Sequence, residues 1–370
     1  AAFEYFFIEE LTAGLVLTAA PVSREQARQQ ALSFLKQNRG SRHQAPAGAA
    51  LREVAVSSEL YVFDIGDQNG FVIVSGDDCT GELVLGYSDK GSFVAERMPD
   101  NLKAWIKGYE SQIAWMKEHG IVNDAAASRG IKRAVRQPVA PKLTCEWNQD
   151  EPYNNYCPTG TVTGCVATAT AQVMYYQARL NSISTTTTAV IPSYQNNTHY
   201  YWTIGSDSQV TQMPEKPETV IYWDRMADSY PSTDEANDAV ARLMEYVGAG
   251  VQMQYGTASV GGSSASLSDV PACLSSYFGY DRDICHVNRN DYTYTEWLDI
   301  VYNELTTNGP VLYGGASTTG GHAFVLDGYS EEDFFHVNWG WGGSQDGYFK
   351  LSVLYSEEQG IGGSTSQEGY

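Results

Sequence analysis

A cysteine at the predicted start of a helix is the strongest chemical signal in this sequence of 370 residues. Cys165 opens a helix-forming stretch that runs to about residue 179, with Thr163 or Gly164 placed to cap it. The N–H groups at a helix N-terminus stabilise a thiolate and lower its pKa from about 8.5. A cysteine in the middle of a helix would instead act as a small buried hydrophobe. The position therefore favours a nucleophile.

A histidine and an asparagine lie downstream on two predicted strands. His322 follows two glycines at the start of one strand, and Asn338 ends the next strand beside Trp339. An Asn carbonyl can hold an imidazole in its productive tautomer, and a neighbouring indole can shield that hydrogen bond from water. His336 shares a strand face with Asn338 and is the competing candidate for the base.

The segments around Cys165, His322 and Asn338 resemble the streptopain family of cysteine peptidases, which is related to papain, and the resemblance covers most of residues 21–370. It implies that Cys165 attacks peptide bonds, that His322 serves as acid and base, and that Asn338 orients His322. It also implies protein and peptide substrates, secretion, a role in virulence, and neither a metal nor an organic cofactor.

The remaining site residues follow only from this resemblance. Gln149, in the segment 147–150, takes the place of the amide that faces the developing oxyanion together with the backbone N–H of Cys165. Without the family, Gln149 is a polar turn residue and the segment 256–264 is a surface loop. Three residues are expected to contact the substrate: Gly321, Trp339 and Val260.

The elements that must position these residues form an α+β domain over 141–370. The helix that starts at Cys165 belongs to a helical half, and short strands near 310–313, 322–326, 333–337 and 347–351 predict an antiparallel half. The resemblance implies a papain-like fold with the cleft between the two halves.

A smaller α+β unit precedes this domain at residues 21–122. A capping box at Ser23 and Gln26 starts one amphipathic helix, and apolar residues at helical spacing predict a second helix over 102–116. Three apolar segments between the helices predict an antiparallel sheet. The resemblance implies that this unit is a propeptide that covers the active site and acts as an intramolecular inhibitor.

Residues 123–140 lack helical or strand periodicity and predict an activation linker. Exposed loops of this kind attract proteolysis, although a passive tether is the alternative. The family favours an apolar residue two positions before the cut, which predicts cleavage after Lys132 or Arg136. The mature chain would then begin at Arg133 or Gln137.

The composition limits the partners of the protein. The formal net charge is −21, and from residue 137 onward 8 Lys and Arg face 27 Asp and Glu. Such an acidic domain repels phosphate backbones, which argues against nucleic acid as a partner. No apolar run approaches the ~20 residues of a membrane span.

The cysteine pattern and the first residues bear on the compartment. The spacing of the six cysteines matches neither a zinc ribbon nor a paired redox site, and free thiols are compatible with a chain of this size. Residues 1–20 are expected to be a leader. The stretch 15–20 is like the end of a signal peptide, but the basic start is missing, so a leader added for expression fits as well.

Two other functions stay open at this point. A papain-like transferase or amidase would use the same nucleophile and base but usually has Asp where this chain has Asn338. A secreted binding module could retain the cysteine without its reactivity. Selective labelling of Cys165 by an epoxide-type thiol inhibitor would separate that module from an enzyme.

Overall fold

The computed structural model describes residues 19–38, 51–54, 57–66, 68–123, 136–197, 210–257, 261–317 and 320–355. The α+β class predicted from the sequence is confirmed. The helices are α1 (Arg24–Asn38), α2 (Asp100–His119), α3 (Cys165–Leu180), α4 (Asp234–Gly250), α5 (Val270–Tyr277) and α6 (Tyr294–Thr307). The strands are β1 (Arg52–Val54), β2 (Leu60–Asp64), β3 (Phe71–Ser75), β4 (Val84–Ser88), β5 (Thr185–Thr187), β6 (Tyr194–Asn197), β7 (Val210–Met213), β8 (Val220–Tyr222), β9 (Val311–Ser317), β10 (Gly320–Ser330), β11 (Phe334–Asn338) and β12 (Gly347–Lys350).

The N-terminal unit packs α1 against one face of β2, β3 and β4. The predicted capping box is present, because the backbone N–H of Ser23 donates to Gln26 Oε1 at 2.9 Å and that of Gln26 donates to Ser23 Oγ at 3.3 Å. Ala31 and Phe34 of α1 are buried in one cluster with Val72 of β3. The helical spacing of these residues is thus what attaches α1 to the sheet.

One antiparallel sheet of eight strands runs through both units. Its order is β1-β2-β3-β4-β12-β11-β10-β9, so β4 of the N-terminal unit pairs directly with β12 of the C-terminal domain. Gly86 lies opposite Phe349 at this junction, and a Cβ there would come within 2.7 Å of the Phe349 ring. The N-terminal unit and the C-terminal domain, which the sequence predicts as separate units, are therefore joined by backbone hydrogen bonds in one sheet.

The two units also share an aromatic core on one face of this sheet, where α2 and α6 pack. The Trp105 ring of α2 lies edge-on to Phe324 and to Trp339, with centroid distances of 5.4 and 6.0 Å. The Tyr109 hydroxyl donates to the carbonyl oxygens of Leu85 at 3.0 Å and Lys350 at 2.5 Å. Helix α2 is therefore part of the core of the C-terminal domain.

The helical half of the C-terminal domain is built around α3 and α4. Small buried residues of α3, among them Ala167 and Ala171, allow the helix to lie close to α4 and β10. Two small two-stranded sheets, β5 with β8 and β6 with β7, are formed by the chain between α3 and α4. No helix in the described segments is both long and apolar enough to cross a membrane, and no group of three metal-ligating side chains occurs in them.

Candidate active site

Cys165 is the first residue of α3, as the sequence predicts, and Gly164 is the cap. Gly164 has φ +87°, and a Cβ there would lie 2.8 Å from the Met253 side chain and 3.1 Å from the Ser263 carbonyl oxygen. Only glycine adopts this conformation without strain. The chain thus turns sharply into α3 and leaves the Cys165 thiol half-buried in the first turn of the helix.

The thiol of Cys165 contacts the strand that carries His322. The backbone N–H of Ala323, the next residue after His322, points to Cys165 Sγ at 3.4 Å. Cys165 and His322 are both described, but no hydrogen bond joins the imidazole to the sulfur in this form. The fold therefore brings the two segments together without completing the pair.

Burial disfavours the charged form of both groups. Burial raises the pKa of the Cys165 thiol, although hydrogen bonds from the backbone N–H groups of Ala323, Val166 and Cys165 itself oppose the shift. Burial lowers the pKa of His322, where Asp100 of α2 acts to raise it and Lys103 acts to lower it. The lowered thiol pKa expected from the helix N-terminus is thus wrong for this form, because desolvation outweighs the helix N–H groups.

His336, the competing base, lies away from the nucleophile. It is buried, and its Nδ1 lies 2.5 Å from Asp327 Oδ1. Burial lowers its pKa, but the Asp327 carboxylate outweighs that effect and the pKa is raised. His336 pairs with Gly328, five residues along β10 from Ala323, which is roughly 17 Å at the rise of a strand. This histidine already has a structural partner.

The side chain of Asn338 is bonded to groups other than His322. Its Oδ1 accepts from Gln172 Nε2 at 3.2 Å and from the backbone N–H of Gly340 at 3.0 Å, and its Nδ2 donates to the Cys145 carbonyl oxygen at 3.0 Å. Gln172, fully buried on α3, also accepts from the backbone N–H of Trp147 at 3.4 Å. Gln172 is not predicted from the sequence, since a glutamine in a helix carries no signal that it will bond to a catalytic side chain.

Gln149 lies beside the start of α3. Its backbone carbonyl oxygen accepts from the N–H of Thr163, two residues before Cys165, at 3.2 Å, and the residue is buried. The segment that carries Gln149 is thereby tied to the turn that presents the nucleophile.

The three predicted substrate contacts have different positions. Gly321 is exposed, directly before His322. Trp339 is only 1% exposed: it lies under Trp105 of α2, and its Nε1 donates to the Gln345 carbonyl oxygen at 3.0 Å. In this form Trp105 of α2 packs against the indole, and the contact of Trp339 with substrate stays a prediction. Val260 lies outside the described residues.

Asn101, the second residue of α2, reaches the junction between β10 and β11. Its Nδ2 donates to the Trp339 carbonyl oxygen at 2.7 Å and to that of Ala323 at 3.5 Å, and the residue is buried. Asn101 thus lies next to the candidate base. The sequence does not predict this position for Asn101, because an Asn at the start of an amphipathic helix has the pattern of a helix cap.

Two family models match the chain. The model described as the peptidase C10 family matches residues 147–349, and the model described as the Spi protease inhibitor matches residues 19–113. The first match contains Cys165, His322 and Asn338, and the second covers the N-terminal unit up to α2.

The chain is also similar to individual proteins, two in sequence and one in structure. The chain is 34% identical over 330 residues to streptopain of Streptococcus pyogenes, covering 83% of this chain and 77% of streptopain. It is 33% identical over 377 residues to the thiol protease/hemagglutinin PrtT of Porphyromonas gingivalis, covering 95% of this chain and 42% of PrtT. A prointerpain A fragment of Prevotella intermedia is similar in structure, with a TM-score of 0.66 and 32% identity, covering 82% of this chain and 91% of the fragment.

Proposed function

Because this chain belongs to the peptidase C10 family, we propose that its cysteine peptidase activity uses Cys165 as the nucleophile and His322 as the acid–base partner. The chain is a latent precursor of such a peptidase, with an inhibitor-like unit before the catalytic domain. The observation that carries the assignment is the contact of 3.4 Å between Cys165 Sγ and the N–H of Ala323, directly beside His322. It supports a nucleophile and a base that meet once the propeptide has gone.

The proposed reaction follows from these positions. His322 takes the thiol proton, and Cys165 Sγ attacks the peptide carbonyl carbon, so that the carbonyl electron pair moves to oxygen. The Cys165 N–H and the Gln149 amide stabilise this oxyanion. The C–N bond then breaks as His322 protonates the leaving amine. His322 next deprotonates a water that attacks the thioester, which releases the acid and restores the thiol.

We propose that Asn338 orients His322 indirectly, by fixing the end of β11. The Asn338 amide fixes the end of β11 through Gln172 and Cys145, and the next carbonyl oxygen, that of Trp339, accepts from Asn101 in the precursor. When Asn101 withdraws, this oxygen needs a new donor, since a buried carbonyl left without one is costly. An imidazole N–H of His322 is a suitable donor.

Latency is proposed to come from α2. Asn101 occupies the junction between β10 and β11, and Trp105 covers Trp339. Burial raises the pKa of Cys165 and lowers that of His322, which disfavours the charged pair. We propose residues 21–122 as the propeptide, 123–140 as the activation linker and 141–370 as the papain-like catalytic domain.

The remaining proposals concern substrates and location. Proteins and peptides are the proposed substrates, with Gly321 and Val260 lending backbone groups to the bound chain. We also propose export of the precursor, supported by the signal-like stretch 15–20, of which residues 15–18 lie outside the described residues. Detection of the protein in the growth medium of unlysed cells tests the export.

Labelling of the processed enzyme by an epoxide-type thiol inhibitor tests the catalytic assignment. All six cysteines are described and are free, and Cys285 is the exposed one, so Cys285→Ala is the matched control. The Cys165→Ala precursor is processed by wild-type enzyme fixed to a resin, which is then removed. We expect label and activity in wild type and Cys285→Ala and neither in Cys165→Ala. Activity of Cys165→Ala above ~1% of wild type would contradict the assignment.

A further inference from the structure

The side chain of Arg136, at the end of the linker, is held by the catalytic domain. It is only 5% exposed, and its two terminal nitrogens lie 2.6 Å from Asp299 Oδ1 and 2.7 Å from Asp333 Oδ1. The guanidinium also lies over the Tyr302 ring, with 5.8 Å to its centroid. Two carboxylates and an aromatic ring are groups that a guanidinium binds well.

The pocket is built for a cation. Asp333 is itself 4% exposed, and its Oδ1 also accepts from the Tyr329 hydroxyl at 2.8 Å. Asp299 and Tyr302 are three residues apart on α6 and so lie on the same side of the helix. A carboxylate as buried as Asp333 is costly without a paired cation, and Arg136 supplies that cation.

The backbone that follows Arg136 is held as well. The N–H of Gln137 donates to the Tyr302 hydroxyl at 2.9 Å, and that hydroxyl donates to the Gln137 carbonyl oxygen at 3.0 Å. Two residues on, Val139 exchanges two backbone hydrogen bonds of 2.8 Å with Tyr329 of β10. The Arg136–Gln137 peptide bond therefore lies between two anchored points.

This bond is far from the nucleophile. Tyr329 is seven residues along β10 from His322, which is on the order of 20 Å at the rise of a strand. A peptide carbonyl must come within about 3.5 Å of the attacking sulfur. The bond cannot reach Cys165 of its own chain while Arg136 is bound, and another protease would have to detach the same contacts first.

We propose that Asp299, Asp333 and Tyr302 form a guanidinium-binding site, and that Arg136 bound there shields the Arg136–Gln137 bond. The first cut in the linker then falls upstream of Arg136, and Arg136 stays on the new chain as its N-terminal anchor. Of the two cuts predicted from the sequence, the one after Lys132 comes first. The order of self-processing rests on the proposed function, but the binding site does not.

Trypsin, which selects Lys and Arg, tests the site without use of the chain's own activity. The Cys165→Ala precursor is digested over time, and the new N-termini are identified by mass spectrometry. We expect cuts after Lys132 or Arg133 to precede the cut after Arg136 by about ten-fold in time or more, since cleavage there needs a local opening. Asp299→Asn with Asp333→Asn should remove most of that delay.

The control is Asp281→Asn with Asp283→Asn, which makes the same charge change on an exposed turn and should leave the delay as in wild type. Tyr302→Phe is a milder variant that removes only the hydroxyl bonds to Gln137, and it should shorten the delay without loss of the salt bridges. A cut after Arg136 as early as after Lys132 in wild type, or no shortening in folded variants of the pocket, would overturn the proposal.

A parallel digestion by mature wild-type enzyme separates the two hypotheses. The same order of cuts is expected there. If trypsin gives the predicted order and the enzyme cuts nowhere in the linker, the guanidinium site stands and the proposed self-processing is wrong. If the enzyme produces a chain that starts at Gln137 before any other, the shielding is wrong.

Discussion

Replacement of Asn101 by Ala tests whether α2 holds the precursor latent through one side chain. The substitution removes the donor to the Trp339 carbonyl oxygen at 2.7 Å and to the Ala323 carbonyl oxygen at 3.5 Å. It leaves the apolar face of α2, including Trp105, unchanged. We therefore expect the propeptide to stay folded and docked while the junction between β10 and β11 opens more often.

The expected size follows from the two contacts. A lost hydrogen bond costs about 0.5 to 1.5 kcal/mol net, and a buried carbonyl left without a donor costs about 1 to 3 kcal/mol. The contact of 3.5 Å is at the limit of a hydrogen bond, so the Trp339 contact accounts for most of the loss. A change of about 1 to 3 kcal/mol corresponds to roughly 5- to 150-fold in the population of the open form.

The rate at which an epoxide-type inhibitor labels Cys165 in the uncut precursor reports this population. Asn123→Ala is the matched control, because Asn123 is also a buried amide, bonded to the carbonyl oxygens of Thr80 at 3.0 Å and Val353 at 2.6 Å. It loosens the propeptide without touching the junction. Labelling of Asn101→Ala at the wild-type rate, or an equal increase in Asn123→Ala, would refute the reasoning.

Three further predictions concern the catalytic domain. His322→Ala should abolish peptidase activity without loss of the fold. His336→Ala should lower the unfolding free energy, measured by urea denaturation, by about 3 to 5 kcal/mol, since it leaves the buried Asp327 carboxylate without its charged partner. Gly164→Ala should cost about 1 to 3 kcal/mol in the same assay, because φ is +87° there. Burial raises the pKa of Asp346 from 3.8 to about 7, so the stability linked to its bound proton is present at low pH and is lost as the pH rises between these two values. Asp346→Asn should make the melting temperature depend less on pH between them.

Local patterns in the sequence predict much of this structure. The recurrence of apolar residues at three and four positions predicts α2, and the run of small residues after Cys165 predicts α3. The place of Cys165 at the start of a helix favours it as the nucleophile, and each of these local signals is contained within about ten residues, so it does not depend on how distant segments meet. The choice of His322 over His336 rests instead on the resemblance to the streptopain family.

The junction between the units cannot be predicted in that way. The pairing of β4 with β12 joins residues more than 250 positions apart through backbone groups, which leave no trace in side-chain type. The role of Asn101 depends on the same junction, because only the docking of α2 brings its amide to the Trp339 carbonyl. The burial of Trp339 has the same cause, so a residue expected in the cleft is covered by Trp105.

Helix α2 couples the stability of the precursor to its latency. Trp105 and Tyr109 complete an aromatic core that includes Phe324 and Phe349 of the catalytic domain, and one turn earlier Asn101 donates to the Trp339 carbonyl oxygen beside the proposed base. Among the described residues, the contacts that dock α2 and β4 lie outside the linker, so a cut in the linker breaks none of these contacts. Activation therefore requires two changes: cleavage of the chain, and separation of β4 from β12, which exposes a strand edge and the apolar face beneath α2. Burial of that core opposes the second change, so we expect a cut but undissociated precursor to stay latent.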